Sequence, residues 1–127
     1  NYIDEEKYPQ AIYAFTTAIR LNPNYMSPYW MRGYAYNILG QYQLAIQDYD
    51  KAIQLDGIAM TYNNRGIAYG QLGQNQRAIE DFDKAIQLDT GYASAYYNRG
   101  WTYRSLDQDT KAEADFAKAC SLDSQWC

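Results

Sequence analysis

The sequence Tyr-Asn-Asn-Arg-Gly at residues 62–66 decides the fold, because closely related sequences stand at a fixed distance on both sides of it. Tyr-Tyr-Asn-Arg-Gly follows at 96–100, 34 residues later, and Tyr-Trp-Met-Arg-Gly precedes it at 29–33, 33 residues earlier. A period near 34 indicates stacked supersecondary units, each of which is too small to bury its apolar face alone.

A second motif keeps the same period in the other half of each repeat. The segment at 45–56 returns at 78–89 and, more loosely, at 112–123. Only this second half is present further upstream, where residues 11–22 match it and are followed by Pro23. The sequence therefore contains three complete repeats, preceded by the second half of another.

Each half repeat has the apolar periodicity of an α-helix. Tyr29, Gly33 and Tyr36 stand at positions i, i+4 and i+7, which places them on one helix face. A period of two, the pattern of a strand, does not occur, and proline or glycine marks the breaks between helices. The sequence predicts seven helices, at about 4–20, 27–39, 43–55, 59–72, 76–88, 93–106 and 110–122.

Composition restricts the functions open to this chain of 127 residues. Its apolar fraction of 47% can build a core without metal or disulfide support. The net charge of −4 disfavours nucleic acid and anionic membranes as partners, and no apolar run approaches the ~20 residues that span a bilayer. There is no histidine, and Cys120 and Cys127 form no CxxC pair, so neither a zinc site nor a catalytic triad is expected.

The repeated pattern resembles the tetratricopeptide repeat. From Tyr62, glycine follows after four residues, tyrosine after three more, alanine after nine, then an aromatic and another alanine before a closing Leu-Asp. The resemblance implies an all-α fold in which antiparallel helix pairs stack into a right-handed superhelical solenoid. It also implies that the first helices line a concave groove for an extended peptide or a partner's helix, whereas it specifies no activity.

The resemblance covers essentially the whole chain. We expect a single domain over 1–127, made of a partial repeat at 1–25 and complete repeats at 26–58, 59–92 and 93–127. We also expect these residues to be an excerpt of a longer array.

A second stripe on each first helix, one position beyond the core stripe, differs from repeat to repeat. The core stripe is nearly identical in every repeat because the repeats pack alike. Positions that differ between repeats are expected where the chain contacts a ligand whose own structure is not repetitive. Because aromatic residues and arginine often anchor interfaces and amides bind peptide backbones, we predict a partner-binding groove. The predicted contact residues are Trp30, Tyr34, Asn37, Asn63, Asn64, Ile67, Tyr97, Asn98, Trp101 and Arg104. The alternative is that some of these aromatics pack between neighbouring first helices.

Some members of the family grip acidic chaperone tails with a carboxylate clamp of lysine, asparagine and arginine side chains. The matching positions here are Trp30, Tyr34, Asn64, Ser94 and Asn98, of which only Asn64 matches. We therefore expect a protein or peptide partner with apolar or aromatic residues, and not an acidic chaperone tail. Arg104 can still attract one anionic group.

Other charged residues are better explained by structure than by chemistry. Each repeat with an arginine before its glycine, such as Arg65, has an aspartate on its second helix, such as Asp81, which predicts a structural ion pair. The acidic runs at 4–6, 48–50 and 80–83 are expected to form a solvated convex face rather than a catalytic or metal site.

The sequence thus predicts a protein-interaction scaffold, not an enzyme, with no cofactor, no metal and no membrane partner for this segment. Self-assembly into a homo-oligomer through exposed end helices is the alternative, and a small ligand among the groove tyrosines is a third possibility. Cys120 is expected to be a buried apolar filler and Cys127 an exposed thiol able to form an intermolecular disulfide. Cytoplasmic localisation is the default expectation.

Overall fold

The computed structural model describes residues 2–127, with side chains described from Lys7 onward, and this part of the chain is entirely helical apart from its turns. The predicted all-α class is confirmed, and the predicted helix ends lie within two residues of the observed ones. The helices are α1 (Tyr2–Leu21), α2 (Met26–Ile38), α3 (Tyr42–Leu55), α4 (Ala59–Gln71), α5 (Asn75–Leu88), α6 (Ala93–Ser105) and α7 (Asp109–Leu122), and a 3-10 turn (Ser124–Trp126) follows.

The helices group into two compact units, residues 1–57 and residues 58–127. In compact unit 1, α2 packs against both α1 and α3. In compact unit 2, α5 packs against α4 and α6, α6 packs against α7, and the 3-10 turn packs against both α6 and α7. Among the residues described, no helix combines the length and apolar character that crossing a membrane requires.

The close approach of the two helices in a pair explains why each repeat has the same glycine. A Cβ atom added at Gly66 would lie 2.7 Å from Cε1 of Phe82, closer than atoms can pack. Gly33 faces Tyr49 and Gly100 faces Phe116 in the same way. The ring of the second helix therefore occupies the space that a side chain on the first helix would need.

Each turn between paired helices contains one residue in the left-handed backbone conformation. α2 and α4 are followed by Gly40 and Gly73, each with φ of 76°, and Asp107 takes the same place after α6 with φ of 60°. After α2, the amide of Gln41 donates to the carbonyl of Tyr36 at 2.9 Å, the long bond of a Schellman motif. These turns end the first helix abruptly and return the chain along it.

Tyrosine hydroxyl groups fasten the loops that lead into the first helices, which accounts for part of the high tyrosine content. The hydroxyl of Tyr29 donates to the carbonyl of Pro23 at 2.8 Å, and that of Tyr96 donates to the carbonyl of Thr90 at 3.2 Å. Both bonds hold the loop against the first turns of its helix.

Candidate functional site

Compact unit 1 carries three of the predicted contact residues, all on α2. Tyr34 is 44% exposed, whereas Trp30 and Asn37 are half-buried. Asn37 Oδ1 and the hydroxyl of Tyr49 on α3 are buried without a hydrogen-bond partner among the described residues. Burial raises the pKa of the Tyr49 phenol well above its ordinary value, with a smaller contribution from Tyr34, so the hydroxyl stays protonated at neutral pH.

In compact unit 2, a small hydrogen-bond network orients Asn98. Asn98 Nδ2 donates to Asn63 Oδ1 at 3.2 Å and to Ser94 Oγ at 3.4 Å. Asn63 is only 3% exposed, and its own Nδ2 lies 3.4 Å from the Tyr92 hydroxyl. Burial raises the pKa of Tyr92, while the hydrogen bond from Asn63 opposes that shift. Asn63 thus fixes the orientation of Asn98, which lines a cavity between α4 and α6.

A cavity of about 240 Å³ opens between α4 and α6. Three predicted contact residues, Ile67, Asn98 and Trp101, lie in its wall, and Trp101 is 47% exposed. Asn64 on α4 is half-buried and does not line the cavity. The complete lining is Gly66, Ile67, Gly70, Gln71, Asn75, Phe82, Asn98, Trp101, Thr102 and Ser105.

Of the polar side chains in this lining, the sequence predicted Asn98 but not Gln71, Asn75 and Ser105. Gln71 and Ser105 lie one residue beyond the last member of the variable stripe, at Gly70 and Arg104, and Asn75 begins the second helix of its pair. The signal that could have indicated them is variation between repeats at the last residue of the first helix and the first residue of the second helix: Ile38, Gln71 and Ser105 are equivalent, as are Tyr42, Asn75 and Asp109.

The remaining wall of compact unit 2 is an aromatic cluster, which we define as Tyr97, Trp101, Phe116 and Trp126. The ring centroids of Trp101 and Phe116 are 5.4 Å apart with their planes at 64°, and the ring centroid of Tyr97 lies 5.7 Å from that of Phe116. Trp126, in the 3-10 turn, lies 4.5 Å from Tyr97. Tyr97 is therefore half-buried by a residue that sequence reasoning did not consider, and Trp101 forms the exposed edge of the cluster.

Arg104, which is 41% exposed, lies against this cluster. Its Cζ atom is 4.9 Å from the centroid of Phe116 and 5.3 Å from that of Trp101, within the range of cation–π contacts. Its Nη2 also donates to Glu113 Oε1 at 3.2 Å. The guanidinium of this predicted contact residue is thus held by two rings and one exposed carboxylate.

The predicted structural ion pairs are confirmed in all three repeats. Arg99 donates from Nε and Nη2 to both oxygens of Asp115, at 2.8 and 2.7 Å. The same two-bond geometry joins Arg32 to Asp48 and Arg65 to Asp81. The hydrogen bond to Asp115 raises the pKa of Arg99, so this side chain is a permanently charged structural element.

The expected acidic convex face is only partly correct. Asp50, Glu80 and Asp83 are exposed, and Asp83 also accepts a hydrogen bond from Arg99 at 2.9 Å. Asp48 and Asp81, in contrast, are buried because each is paired with its arginine. The side chains of the run at 4–6 lie outside the described residues.

The expectations for both cysteines are wrong. Cys120 and Cys127 form an intramolecular disulfide with a Cα–Cα distance of 4.6 Å, so Cys127 is not a free thiol and Cys120 is not a simple apolar filler. The bond closes over the 3-10 turn that holds Trp126. Asp123 also fastens this turn, because its Oδ1 accepts from the amide of Gln125 and its Oδ2 from the Gln125 side chain. These two bonds lower the pKa of Asp123.

Repeated helix pairs with a constant core and an open cavity between first helices define the class of helical-repeat protein-interaction scaffolds. Family models for the tetratricopeptide repeat match residues 31–57, 59–92 and 93–125, and one described as TPR repeat matches residues 1–37. The chain belongs to the tetratricopeptide-repeat family.

Comparisons with known proteins agree with this assignment. The Hsp70-Hsp90 organizing protein 3 of Arabidopsis thaliana is 36% identical over 55 residues, which are 43% of this chain and 10% of that protein. The crystal structure of MamA is 30% identical with a TM-score of 0.88, over 95% of this chain and 71% of that one.

Two similar structures are described by what they bind. YrrB, a TPR protein with an unusual peptide-binding site, is 26% identical with a TM-score of 0.84, over 97% of this chain and 64% of that one. The second TPR of Spaghetti (RPAP3), bound to the HSP90 peptide SRMEEVD, is 30% identical with a TM-score of 0.75, over 77% of this chain and 92% of that one.

Proposed function

We propose that this scaffold binds an extended peptide segment of a partner protein along the inner face of α4 and α6. The observation that carries the proposal is the open cavity between these helices, bordered by the half-exposed indole of Trp101. An aromatic side chain of this kind is costly to leave in water and rigid enough to anchor a ligand.

The chemistry of the lining fits a peptide better than a purely apolar ligand. Ile67 and Trp101 offer apolar surface, while Gln71, Asn75 and Asn98 offer amide groups that can bond a peptide backbone. Interfaces usually combine such an apolar centre with polar groups that fix the register of the ligand. That YrrB and the second TPR of RPAP3 are described with peptides supports the same choice.

The other predicted contact residues take different parts in this proposal. Asn63 acts by positioning Asn98, and Tyr97 by supporting Trp101 within the aromatic cluster. Asn64 and Arg104 contact the partner at the border of the cavity. In compact unit 1, Trp30, Tyr34 and Asn37 form a second inner wall for a partner, of which Tyr34 is the most exposed part.

A selected peptide tests this proposal. Peptides are selected from a random library against the intact chain, and the affinity of the best one is measured by calorimetry for Trp101→Ala and for Leu88→Ala. Leu88 is 48% exposed on α5 and does not line the cavity, so it is the matched control. We expect Trp101→Ala to weaken binding at least tenfold and Leu88→Ala to leave it unchanged. Equal losses would contradict the proposed site.

The binding mode is expected to differ from that of a carboxylate clamp. No lysine or arginine lines the cavity, so nothing there neutralises a pair of carboxylates. We predict that amidating the C-terminus of the peptide SRMEEVD changes its affinity for this chain less than twofold, as fluorescence anisotropy would measure it. The second TPR of RPAP3 is the positive control, and a tenfold loss for this chain would show that a clamp exists.

Self-assembly remains the alternative function, favoured by apolar side chains on α1. Tyr13 is 78% exposed and Leu21 is 77% exposed, the two highest values among the large apolar side chains that the structure describes. If copies associate through α1, the mass from light scattering rises with concentration, and Tyr13→Ser with Leu21→Ser abolishes that rise. A constant monomer mass would exclude the alternative.

A further inference from the structure

Trp126 is the one member of the aromatic cluster that does not lie on an α-helix. Tyr97 and Trp101 lie on α6 and Phe116 on α7, whereas Trp126 lies in the 3-10 turn. Its ring centroid is 4.5 Å from that of Tyr97, the shortest ring distance in the cluster. The ring centroid of Tyr97 lies 6.2 Å from that of Trp101, with the planes at 77°, which is an edge-to-face arrangement. Through Tyr97, Trp126 therefore supports the indole that borders the cavity.

Comparison of repeats shows that this support is a regular feature of the first helices in compact unit 2. Trp126 and Tyr97 are equivalent to Tyr92 and Asn63, since 34 residues separate the members of each pair. Asn63 Nδ2 lies 3.4 Å from the Tyr92 hydroxyl. The side chain at this place thus contacts the same position of a first helix in both repeats, by a polar contact in one and by ring packing in the other.

The disulfide attaches Trp126 to the cluster. Cys127 follows Trp126 directly and is bonded to Cys120 on α7. The amides of Trp126 and Cys127 donate to the carbonyls of Asp123 and Ser124 at 3.0 and 3.1 Å, and these bonds shape the turn within residues 123–127. The disulfide is the covalent bond that joins the turn to the helix.

This bond is accessible to a reductant. Cys127 is exposed and Cys120 is half-buried, and exposed disulfides are the ones that exchange readily with thiols. A thiolate of a dithiol reductant attacks Sγ of Cys127, the disulfide breaks, and Cys120 leaves as a thiolate that takes up a proton. The second thiolate of the reductant then attacks the mixed disulfide and releases Cys127. The chain gains two electrons and two protons, and the dithiol is oxidised to its own disulfide.

We propose that Trp126 is a positioning residue of the peptide site and that the Cys120–Cys127 disulfide is a redox-sensitive latch on it. In the oxidised chain, Trp126 holds Tyr97 against Trp101, and the indole is preorganised for the ligand. In the reduced chain the turn detaches, Tyr97 loses its support, and the peptide binds more weakly. This inference rests on the proposed peptide-binding function and names the regulation of its site.

Reduction of the intact, ¹⁵N-labelled chain by dithiothreitol tests the latch without any substitution. We expect the indole resonances of Trp126 and Trp101 to shift and that of Trp30, in compact unit 1, to stay in place. An unchanged Trp101 resonance would overturn the latch. Reduction should also weaken the selected peptide about threefold, the size of one aromatic contact, and reoxidation should restore its affinity. Equal or tighter binding by the reduced chain would overturn it too.

Variants separate the bond from the ring that it holds. Cys120→Ser with Cys127→Ser should bind the peptide with the affinity of the reduced chain under both conditions. In the oxidised chain, Trp126→Ala should weaken the peptide about threefold, while Trp126→Phe, which keeps an aromatic ring, should restore most of the affinity. Leu88→Ala is the control, and circular dichroism checks that each variant is folded. Full affinity of the double serine variant or of Trp126→Ala would overturn the proposal.

Failure of the latch is distinguishable from failure of the proposed function. A peptide that loses affinity on Trp101→Ala but binds the oxidised and the reduced chain equally would overturn the latch alone. A peptide that is indifferent to Trp101→Ala would overturn the proposed function, and with it the inference that rests on it.

Discussion

Contacts between single atoms explain which residues recur in every repeat. The Cε1 atoms of Phe82 and Phe116 stand 2.7 Å from where a Cβ of Gly66 or Gly100 would be, so alanine at either glycine forces the helices apart. Gly70, only one turn from Gly66 on the same helix, has no such neighbour. Gly66 is therefore required for helix packing, whereas Gly70 lines the cavity and leaves room for a side chain.

Alanine substitution separates these roles. Gly66→Ala should lower the free energy of unfolding by about 1–3 kcal/mol, because the methyl group overpacks the contact with Phe82. Gly70→Ala should raise it by up to about 1 kcal/mol, since alanine favours a helix interior and meets only Ala78. Urea denaturation followed by circular dichroism measures both. The packing explanation fails if both substitutions change stability in the same direction.

The arginine–aspartate pairs are the second constant feature at this scale. Asp115 is 5% exposed and accepts two hydrogen bonds from Arg99, whereas Glu113 is largely exposed and accepts one from Arg104. Both pairs join α6 to α7, which makes the second a matched control for the first. Burial and two-bond geometry distinguish a structural ion pair from a solvated one.

Double-mutant cycles measure this difference. Alanine substitutions at Arg99 and Asp115 should show a coupling energy of about 2 kcal/mol, because removing one partner leaves a buried charge. The cycle for Arg104 and Glu113 should give about 0.5 kcal/mol or less. Coupling energies that agree within error would mean that burial adds nothing to the Arg99–Asp115 pair.

Helices and turns show how much of the fold the sequence could predict. The ends of α2 through α7 follow from apolar periodicity and from breaks such as Gly40 and Gly73, both of which depend on local sequence. The disulfide and the 3-10 turn did not follow, because pairing Cys120 with Cys127 depends on how the chain turns after α7. Two cysteines seven residues apart in a sequence do not by themselves indicate a disulfide. The position of Cys120 inside a predicted helix indicated only that its side chain would be buried.

Opening this disulfide should loosen the 3-10 turn. Reduction removes the closure of a short loop, and we expect it to lower the free energy of unfolding by about 1–2.5 kcal/mol. It should also change tryptophan fluorescence, because Trp126 lies 4.5 Å from Tyr97. A Cys127→Ser variant is the control, since it should already have the lower stability and show no response to reductant. Alkylation of both cysteines without reductant would contradict the disulfide.

For the whole molecule, comparison of repeats within one sequence predicted the family, which is confirmed, and a set of candidate contact residues. Ile67 and Trp101 lie on the variable stripe and Asn98 lies one residue beyond its member Tyr97, and all three predicted contact residues line the cavity. The sequence did not indicate their polar neighbours, because Gln71 lies one residue beyond the end of the variable stripe and Asn75 lies on the second helix of the pair. The burial of Asn63 could not be read from the sequence, since it depends on hydrogen bonds to residues about 30 positions away.

The central claim is that the inner wall of α4 and α6 binds a peptide. The most direct measurement is a chemical-shift map of the selected peptide on the intact, ¹⁵N-labelled chain. We predict that the largest shifts fall on Ile67, Gly70, Asn98 and the Trp101 indole, which line one cavity. Shifts confined to exposed positions on the second helices, such as Leu88, or to α1 would contradict the claim.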